Sequence, residues 1–381
     1  MFERLQHFRN RRKESCFFWG ARQTGKSTLL KRLFPTSPYY DLLLADEYRR
    51  LSQDPSILRQ ELAAIKPSPS SPVIVDEVQK IPALLDEIQW LIVNKGISFI
   101  LCGSSARKLK RGQGNLLGGR ALRYELYPLV YQEIPDFNLL RALNHGLLPR
   151  HYLAPDATPL LKAYVGDYLK EEIAAEALSR HIPAFARFLE AAAFSDAEIV
   201  NYQNIARDCG VSSPTVKEYF QIVEDTLLGR FLPSFQKRPK RRVIQAPKFY
   251  YFDVGVTNIL LKRGEIANRS EAFGKAFEHF IFQELAAHRH YSGLDYPIHY
   301  WRTASQLEVD FILGDHEVAV EVKATELADS RHWRGLKAFQ EEYRVKKAIV
   351  VSLDSKPRRI GNIHILPWQT FLEQLWGGSI L

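Results

Sequence analysis

The sequence lacks any long apolar run. None of its 381 residues lie in a stretch that approaches about 18 consecutive apolar, uncharged residues, the length that predicts a membrane-spanning helix. The basic segment of residues 1–13 is not followed by an apolar core, so it does not have the pattern of a secretory signal. Internal repeats and low-complexity tracts are also missing. The sequence therefore predicts a cytoplasmic protein with no membrane partner.

Cysteine is scarce, and its spacing argues against two kinds of structure. The chain has three cysteines, Cys16, Cys102 and Cys209, which are far apart and lie mostly among apolar residues. An odd number at such spacing does not suit a disulfide framework or a metal held by cysteines. We therefore expect buried free thiols in a reducing compartment.

The composition is ordinary for a globular protein, apart from an excess of positive charge. Hydrophobic residues make up 46% of the chain and charged residues 25%, both usual values. A length of 381 residues predicts about two to three domains. The formal net charge of +9 favours an acidic partner such as DNA, although the distribution of the charge matters more than its sum.

A glycine-rich phosphate-binding motif directly follows an apolar run. Residues 20–27 read G-x-x-x-x-G-K-S. The two glycines let backbone N–H groups turn toward phosphates, the lysine reaches the β and γ oxygens, and the serine hydroxyl is placed to coordinate Mg²⁺. The motif predicts a P-loop that binds ATP and Mg²⁺. The candidate nucleotide-binding residues are Gly20, Ala21, Arg22, Gln23, Thr24, Gly25, Lys26, Ser27 and Thr28.

A second motif places two acids at the end of an apolar strand. Residues 73–75 read as a buried parallel strand that ends in Asp76 and Glu77. In P-loop ATPases the first acid at such a position holds Mg²⁺ and the second can polarise the attacking water, so we assign Asp76 and Glu77 these roles. The apolar run of residues 97–103 then leads to Ser104. Its hydroxyl is a candidate sensor of the γ-phosphate, although serines after a strand more often cap helices.

These motifs together resemble those of an AAA+ ATPase. The motifs are similar in sequence to those of a prokaryotic AAA family whose C-terminal half is a domain of unknown function. The similar segments are residues 20–27, 75–82, 103–106, 117–120 and 126–129. The resemblance implies an ATP hydrolase that works as a homo-oligomer and uses an arginine finger. It favours Arg120 as that finger, with Arg107 and Arg123 as rivals and an ordinary surface arginine as the alternative.

The middle of the chain has the spacing of a helix-turn-helix. In residues 202–220, Gly210 closes the first helix, Ser213 caps the second and Pro214 lies in its first turn. A basic run follows between two strand-like segments, so we expect the exposed tip of a hairpin and, overall, a winged helix. Such a module binds nucleic acid or serves as a protein contact. The candidate phosphate contacts are Lys217, Lys237, Arg238, Lys240, Arg241 and Arg242.

The C-terminal third carries an ordered set of three acids and a lysine. Glu278 lies in a helical segment, Asp310 in a strand, and Glu321 and Lys323 on one face of the next strand. This order resembles a PD-(D/E)xK nuclease. The resemblance implies that Asp310 and Glu321 chelate Mg²⁺, that Lys323 orients the attacking water, and that Glu278 completes the metal shell. A degenerate site in a scaffold domain is the alternative.

The sequence thus predicts an α/β protein with three parts. These are an AAA+ P-loop domain with a parallel sheet at residues 1–148, a helical winged-helix region at 160–245, and a mixed α/β, restriction-endonuclease-like domain at 246–381. Two functions remain open. One is an ATPase that drives or gates nucleic-acid binding and metal-dependent DNA cleavage, and the other is a nucleotide-dependent switch that binds proteins.

Overall fold

The computed structural model describes residues 2–8, 14–65, 71–105, 107, 117–119, 121–169, 182–237 and 240–381. In this part of the chain, no helix combines the length and the apolar character needed to cross a membrane. The three cysteines are free and buried, as predicted. The described residues form three β-sheets, one in each third of the chain.

The N-terminal region is built on a five-stranded sheet of order β2-β3-β4-β1-β5. All of its strand pairs are parallel, which confirms the predicted sheet. Strands β1, β3 and β4 are apolar and buried along their whole length because side chains pack against both faces. The elements are β1 (Ser15–Trp19), α1 (Lys26–Leu33), β2 (Tyr39–Asp41), α2 (Ala45–Gln53), α3 (Ser56–Ile65), β3 (Val73–Asp76), α4 (Leu84–Lys95), β4 (Phe99–Gly103) and β5 (Ala121–Glu125).

The middle region is mainly helical and contains a small antiparallel sheet of order β6-β8-β7. Strand β8 follows the boundary that we predicted after residue 245, yet it pairs with β7 and therefore belongs to the middle sheet. The elements are α5 (Leu139–His145), α6 (Pro149–Leu153), α7 (Thr158–Ala163), α8 (Ile182–Ala193), β6 (Glu198–Ile199), α9 (Tyr202–Cys209), α10 (Ser213–Asp225), β7 (Gly229–Leu232), β8 (Lys248–Tyr251) and α11 (Val254–Leu260).

The two helices predicted within residues 202–220 are present, with one change at the cap of the second. Helix α9 ends at Gly210, which takes a left-handed conformation with φ of 67°. Helix α10 is capped by Ser212, whose Oγ accepts a hydrogen bond from the Thr215 N–H at 3.3 Å. Ser213, the predicted cap, is instead the first helical residue. Tyr219 of this helix is buried.

The C-terminal region is a six-stranded mixed sheet of order β13-β14-β12-β11-β10-β9. Strands β9, β10 and β11 are antiparallel neighbours, whereas β11, β12 and β14 run parallel. One face packs against a long helix and the other against a short one. The elements are α12 (Glu271–Tyr291), β9 (Ile298–Arg302), β10 (Glu308–Leu313), β11 (Val318–Lys323), α13 (Arg334–Glu342), β12 (Lys347–Ser352), β13 (Arg358–Ile360), β14 (Ile363–Pro367) and α14 (Trp368–Trp376).

Helix α13 lies unusually close to strand β10 because its second residue is glycine. A Cβ added to Gly335 would overlap the backbone carbonyl oxygen of Glu308. Backbone cannot give way as the end of a flexible side chain can. The glycine therefore sets the distance between this helix and the strand that carries Asp310.

We predict that Gly335→Ala destabilises the C-terminal region by about 1–3 kcal/mol or more, because the added methyl overpacks the helix against the strand. Gly274→Ala in α12 is the matched control, since the nearest atom to its added Cβ is the Ala324 Cβ at 3.9 Å. That change should stabilise the helix by up to about 1 kcal/mol. Urea unfolding measures both effects, and equal midpoints for Gly335→Ala and the parent protein would contradict the first.

Candidate nucleotide site and a second acidic site

The P-loop connects the end of β1 to the start of α1. A Cβ on Gly20 would lie 2.6 Å from the Leu126 carbonyl oxygen, so a larger residue would not fit there. Gly25 has a φ of 93°, which favours glycine. The buried Arg4 side chain, which the sequence analysis missed, donates to the carbonyl oxygens of Thr24 at 2.5 Å and Tyr127 at 2.6 Å. It thereby ties the loop to the segment that leaves the N-terminal sheet.

Lys26 points back into its own loop. Its Nζ donates hydrogen bonds to the carbonyl oxygens of Gly20 at 2.7 Å and Ala21 at 3.0 Å, and the side chain is buried. The Thr24 hydroxyl also donates to the Ala21 oxygen, at 2.8 Å. The loop thus holds a positive charge inside the turn of backbone where the sequence predicts phosphates.

One carboxylate oxygen of Asp76 accepts hydrogen bonds from two hydroxyl groups. Ser27 Oγ donates to Asp76 Oδ2 at 2.6 Å, and the Tyr39 hydroxyl donates to the same atom at 2.5 Å. Burial, and then the Asp76 carboxylate, raise the pKa of Tyr39, so its hydroxyl remains a donor. A carboxylate beside a serine hydroxyl is a donor set that suits Mg²⁺. Tyr39 was not predicted because it lies on a different strand from both motifs.

Glu77 and Ser104 are joined through a third residue, Gln79. Gln79 Nε2 donates to Glu77 Oε2 and lies 3.3 Å from Ser104 Oγ. All three side chains are buried. Glu77 itself has a φ of 58°, in the left-handed region, which turns the chain immediately after β3. The two predicted residues therefore do meet at one edge of the sheet.

The outer part of the P-loop contacts the middle region. The Arg22 guanidinium lies over the Tyr168 ring at 4.9 Å, and the Arg22 carbonyl oxygen accepts a hydrogen bond from the Tyr164 hydroxyl at 3.3 Å. Ala21 packs within the core of the middle region. Gln23 and Thr28 are exposed.

A mainly apolar cleft opens beside the P-loop. It has a volume of about 310 Å³, and it separates the first turn of α1 from the start of the chain and from α6. Its lining includes Phe2, Thr28, Leu29, Pro149 and Leu153.

The three arginine candidates differ in their surroundings. Arg107 is buried, and its Nη1 lies 3.5 Å from Asp225 Oδ2 in α10. This ion pair within the chain makes it a poor candidate for insertion into a neighbouring subunit. Arg123 is exposed on β5, the edge strand of the sheet. Arg120 lies outside the described residues.

The basic segment lies in the connection of a hairpin, as we expected, because β7 and β8 pair antiparallel. The connection also contacts the next region. On either side of the basic run, the N–H groups of Phe235 and Ile244 donate to the carbonyl oxygens of Tyr300 at 2.7 Å and Arg302 at 2.9 Å in β9, a contact that the sequence analysis did not predict.

Acids of the C-terminal region contact several of the predicted nucleic-acid residues. Lys237 pairs with Asp315 at 2.5 Å, and Arg241 pairs with Glu341 and Glu342. The side chains of Lys217, Lys240 and Arg242 are exposed. Arg238 lies outside the described residues.

The C-terminal region brings Asp310, Glu321 and Lys323 together. Lys323 Nζ lies 2.6 Å from Glu321 Oε1 and 3.7 Å from Asp310 Oδ2. The Val322 N–H donates to the same Asp310 oxygen at 2.7 Å. Burial, and then the Asp310 carboxylate, raise the pKa of Glu321. The second Glu321 oxygen is buried and accepts no hydrogen bond from any described residue.

Glu278 is held by groups that the sequence analysis missed. Its Oε1 accepts hydrogen bonds from Lys248 Nζ at 3.0 Å and from the Tyr250 hydroxyl at 2.7 Å. Lys248 is 2% exposed and also pairs with Glu308 at 2.7 Å. Lys248 and Tyr250 come from β8, and the alternation of this strand was the only signal that could have placed them on one face.

The acidic site suits a cation held by two carboxylates. Among the described residues, no group of three or more His, Cys, Asp or Glu side chains is placed to hold a metal ion. Lys323 nevertheless contacts both Asp310 and Glu321. The second Glu321 oxygen accepts no hydrogen bond from the described residues. Oxygen ligands of this kind are those that Mg²⁺ and Mn²⁺ prefer, usually with water completing the shell.

The chain was also compared with known proteins. Residues 12–135 match a family described as an AAA domain, and residues 137–266 and 273–371 match two families described as domains of unknown function, DUF8612 and DUF4143. No curated protein matches the sequence. Among solved structures, the Orc1 protein of Aeropyrum pernix in complex with DNA is 12% identical over 65% of this chain and 86% of that one, with a TM-score of 0.27. The N-terminal third of the chain thus matches an AAA domain, and two matches to domains of unknown function follow it.

Proposed function

We propose that this protein is a cytoplasmic AAA+ ATPase that binds ATP with Mg²⁺ and hydrolyses it. The observation that carries the proposal is the convergence of Lys26, Ser27, Asp76 and Glu77 at one edge of the parallel sheet. Ser27 and Asp76 would hold Mg²⁺, which neutralises charge on the phosphates when bound. Glu77 would orient and deprotonate the attacking water. Ser104 lies close enough to share Gln79 with it and would sense the γ-phosphate.

The cleft beside the P-loop supports binding of a nucleoside triphosphate rather than of phosphate alone. Its lining includes Gly25 and Thr28, on either side of Lys26 and Ser27 in the sequence. A flat, apolar purine ring suits such a cleft, with Phe2 and Leu153 on its walls. The remaining loop residues would hold the phosphates through backbone N–H groups.

For the rest of the chain we propose a winged helix followed by a PD-(D/E)xK nuclease-like domain. The order α8, β6, α9, α10, β7, β8 supports the first, because it places two helices and a hairpin on one small sheet. The second rests on α12, three antiparallel strands, α13 and the parallel β12. The contacts of Lys323 with Asp310 and Glu321 also support this proposal.

We infer that nucleotide state gates metal-dependent cleavage of nucleic acid by this second site. The contact of Arg22 with the middle region, and of β8 with Glu278, gives a physical connection between the two sites. Exposed Lys217, Lys240 and Arg242 would contact phosphates. A nucleotide-dependent protein-binding switch with an inert nuclease-like domain is the second candidate. It is favoured by the ion pairs that already occupy Lys237 and Arg241.

Lys26→Ala should abolish ATP hydrolysis, because the P-loop then has no fixed positive charge for the β and γ phosphates. Glu77→Gln should still bind ATP but hydrolyse it about 10²-fold or more slowly, as expected for loss of a general base. Fluorescent-nucleotide binding and phosphate release measure the two steps. Lys162→Ala, which removes an exposed lysine on α7, is the control. Wild-type turnover by Lys26→Ala would refute the ATPase.

Hydrolysis should require a second copy of the chain that supplies Arg120. Specific activity should then rise with protein concentration, and Arg120→Ala should lower it by about 10³-fold, the scale of an arginine finger. Arg123→Ala tests the rival candidate on strand β5 and should leave the rate unchanged if Arg120 is the finger. A rate that does not depend on concentration, from a protein that sediments as a monomer, would argue against a finger in trans.

Asp310→Ala should remove Mn²⁺-dependent cleavage of DNA and leave ATP turnover near the wild-type rate, because the two sites use different carboxylates. Asp46→Ala, an exposed aspartate on α2, is the matched control. Single-stranded, duplex and branched DNA should each be tested with and without ATP. If no substrate is cut with any divalent metal while ATP is hydrolysed, the switch function is the correct one.

A further inference from the structure

A lysine from the middle region lies inside the acidic site of the C-terminal region. Lys248 belongs to β8, which pairs with β7 and β6, yet its Nζ lies 3.0 Å from Glu278 Oε1 and 2.7 Å from Glu308 Oε1. These two acids come from different elements, α12 and β10. The ammonium group therefore links two carboxylates that lie on separate elements, a helix and a strand.

The Lys248 side chain is 2% exposed, and its amine is paired with two carboxylates. Buried charges in proteins are kept when they are paired in this way, so the amine retains its positive charge. An ammonium group is a compact point charge with three donors, so its effect on the acids resembles that of a small bound cation.

The charges of the whole cluster leave room for one divalent ion. Its carboxylates belong to Glu278, Glu308, Asp310 and Glu321, and its cations to Lys248, Lys323 and Arg302, the last lying 3.3 Å from Glu308 Oε2. With all seven groups ionised, the acids exceed the cations by one. One divalent ion at Asp310 and Glu321 would give a net positive charge suited to a phosphodiester. A second ion would concentrate much more positive charge among largely buried groups.

We propose that Lys248 fills the second cation position of this site, so that the site takes a single divalent ion at Asp310 and Glu321. The proposal rests on the metal-dependent function proposed above. In two-metal sites, ions about 4 Å apart bind the attacking oxygen and the leaving oxygen of the reaction. Here the Lys248 amine supplies the second positive charge, and Glu278 and Glu308 serve to position the amine rather than to bind metal.

Mn²⁺ binding to the purified full chain tests the proposal without any assay of cleavage. Every protein carries Asp76→Asn, so that the nucleotide site does not contribute an ion. Calorimetry and the electron paramagnetic resonance signal of free Mn²⁺ give the number of ions per chain. The parent should bind one, and adding Asp310→Ala should remove it.

Changes at Lys248 should then alter the number of bound ions. Lys248→Met should bind one additional Mn²⁺, because Glu278 and Glu308 lose their counter-ion. Lys248→Arg keeps the positive charge and should not gain an ion. The double variant Lys248→Met with Glu278→Gln should not gain one either, because it removes one of the two ligands. Thermal unfolding with and without Mn²⁺ reports whether each variant is folded.

The outcomes separate this proposal from the proposed function. A folded Lys248→Met variant that binds no more Mn²⁺ than the parent would overturn it, as would a parent that already binds two. A parent with no ion and a Lys248→Met variant with one would support the role of Lys248 and refute metal-dependent cleavage. If Lys248→Met folds only with Mn²⁺, the proposal is upheld. If Mn²⁺ does not restore it while the double variant folds, the proposal fails.

Discussion

The parallel direction of the N-terminal strands is the constraint on which the nucleotide site depends. Parallel strands end at the same edge of a sheet, so β1, β3 and β4 bring the P-loop, Asp76 and Ser104 to one place although they are far apart in sequence. No side chain needs to reach across the fold. The complete burial of these strands makes the edge rigid, which a site that must position Mg²⁺ and water requires.

The contacts between regions follow from this edge. Ala21 and Arg22 belong to the P-loop, yet they pack against the middle region through its core and through Tyr164 and Tyr168. After the end of β4, Arg107 also pairs with Asp225 at the end of α10. The nucleotide site therefore contacts the middle region through the P-loop and through the residues that follow β4. A shift of Arg22 would change its contacts with Tyr164 and Tyr168.

The sequence was informative wherever a motif is local, and uninformative wherever a contact joins distant strands. The P-loop, the acids after β3 and the order of Glu278, Asp310, Glu321 and Lys323 could all be read from spacing. Tyr39, Gln79 and Lys248 could not, because each acts through a partner on another element. The packing of the basic hairpin connection was missed for the same reason, since its charge pattern does not reveal that the residues beside it lie along β9.

Strand β8 also bears on how the chain can be divided. The family match for the C-terminal region begins at residue 273, whereas Lys248 and Tyr250 lie upstream of it and contact Glu278 within it. A fragment cut at that boundary would keep all the acids and lose the amine that neutralises two of them. The carboxylates of Glu278 and Glu308 would then repel each other in largely apolar surroundings. The family match thus marks a region of sequence whose buried acids are neutralised in part from outside it. A fragment meant to fold alone must also include β8 and the strands that pair with it.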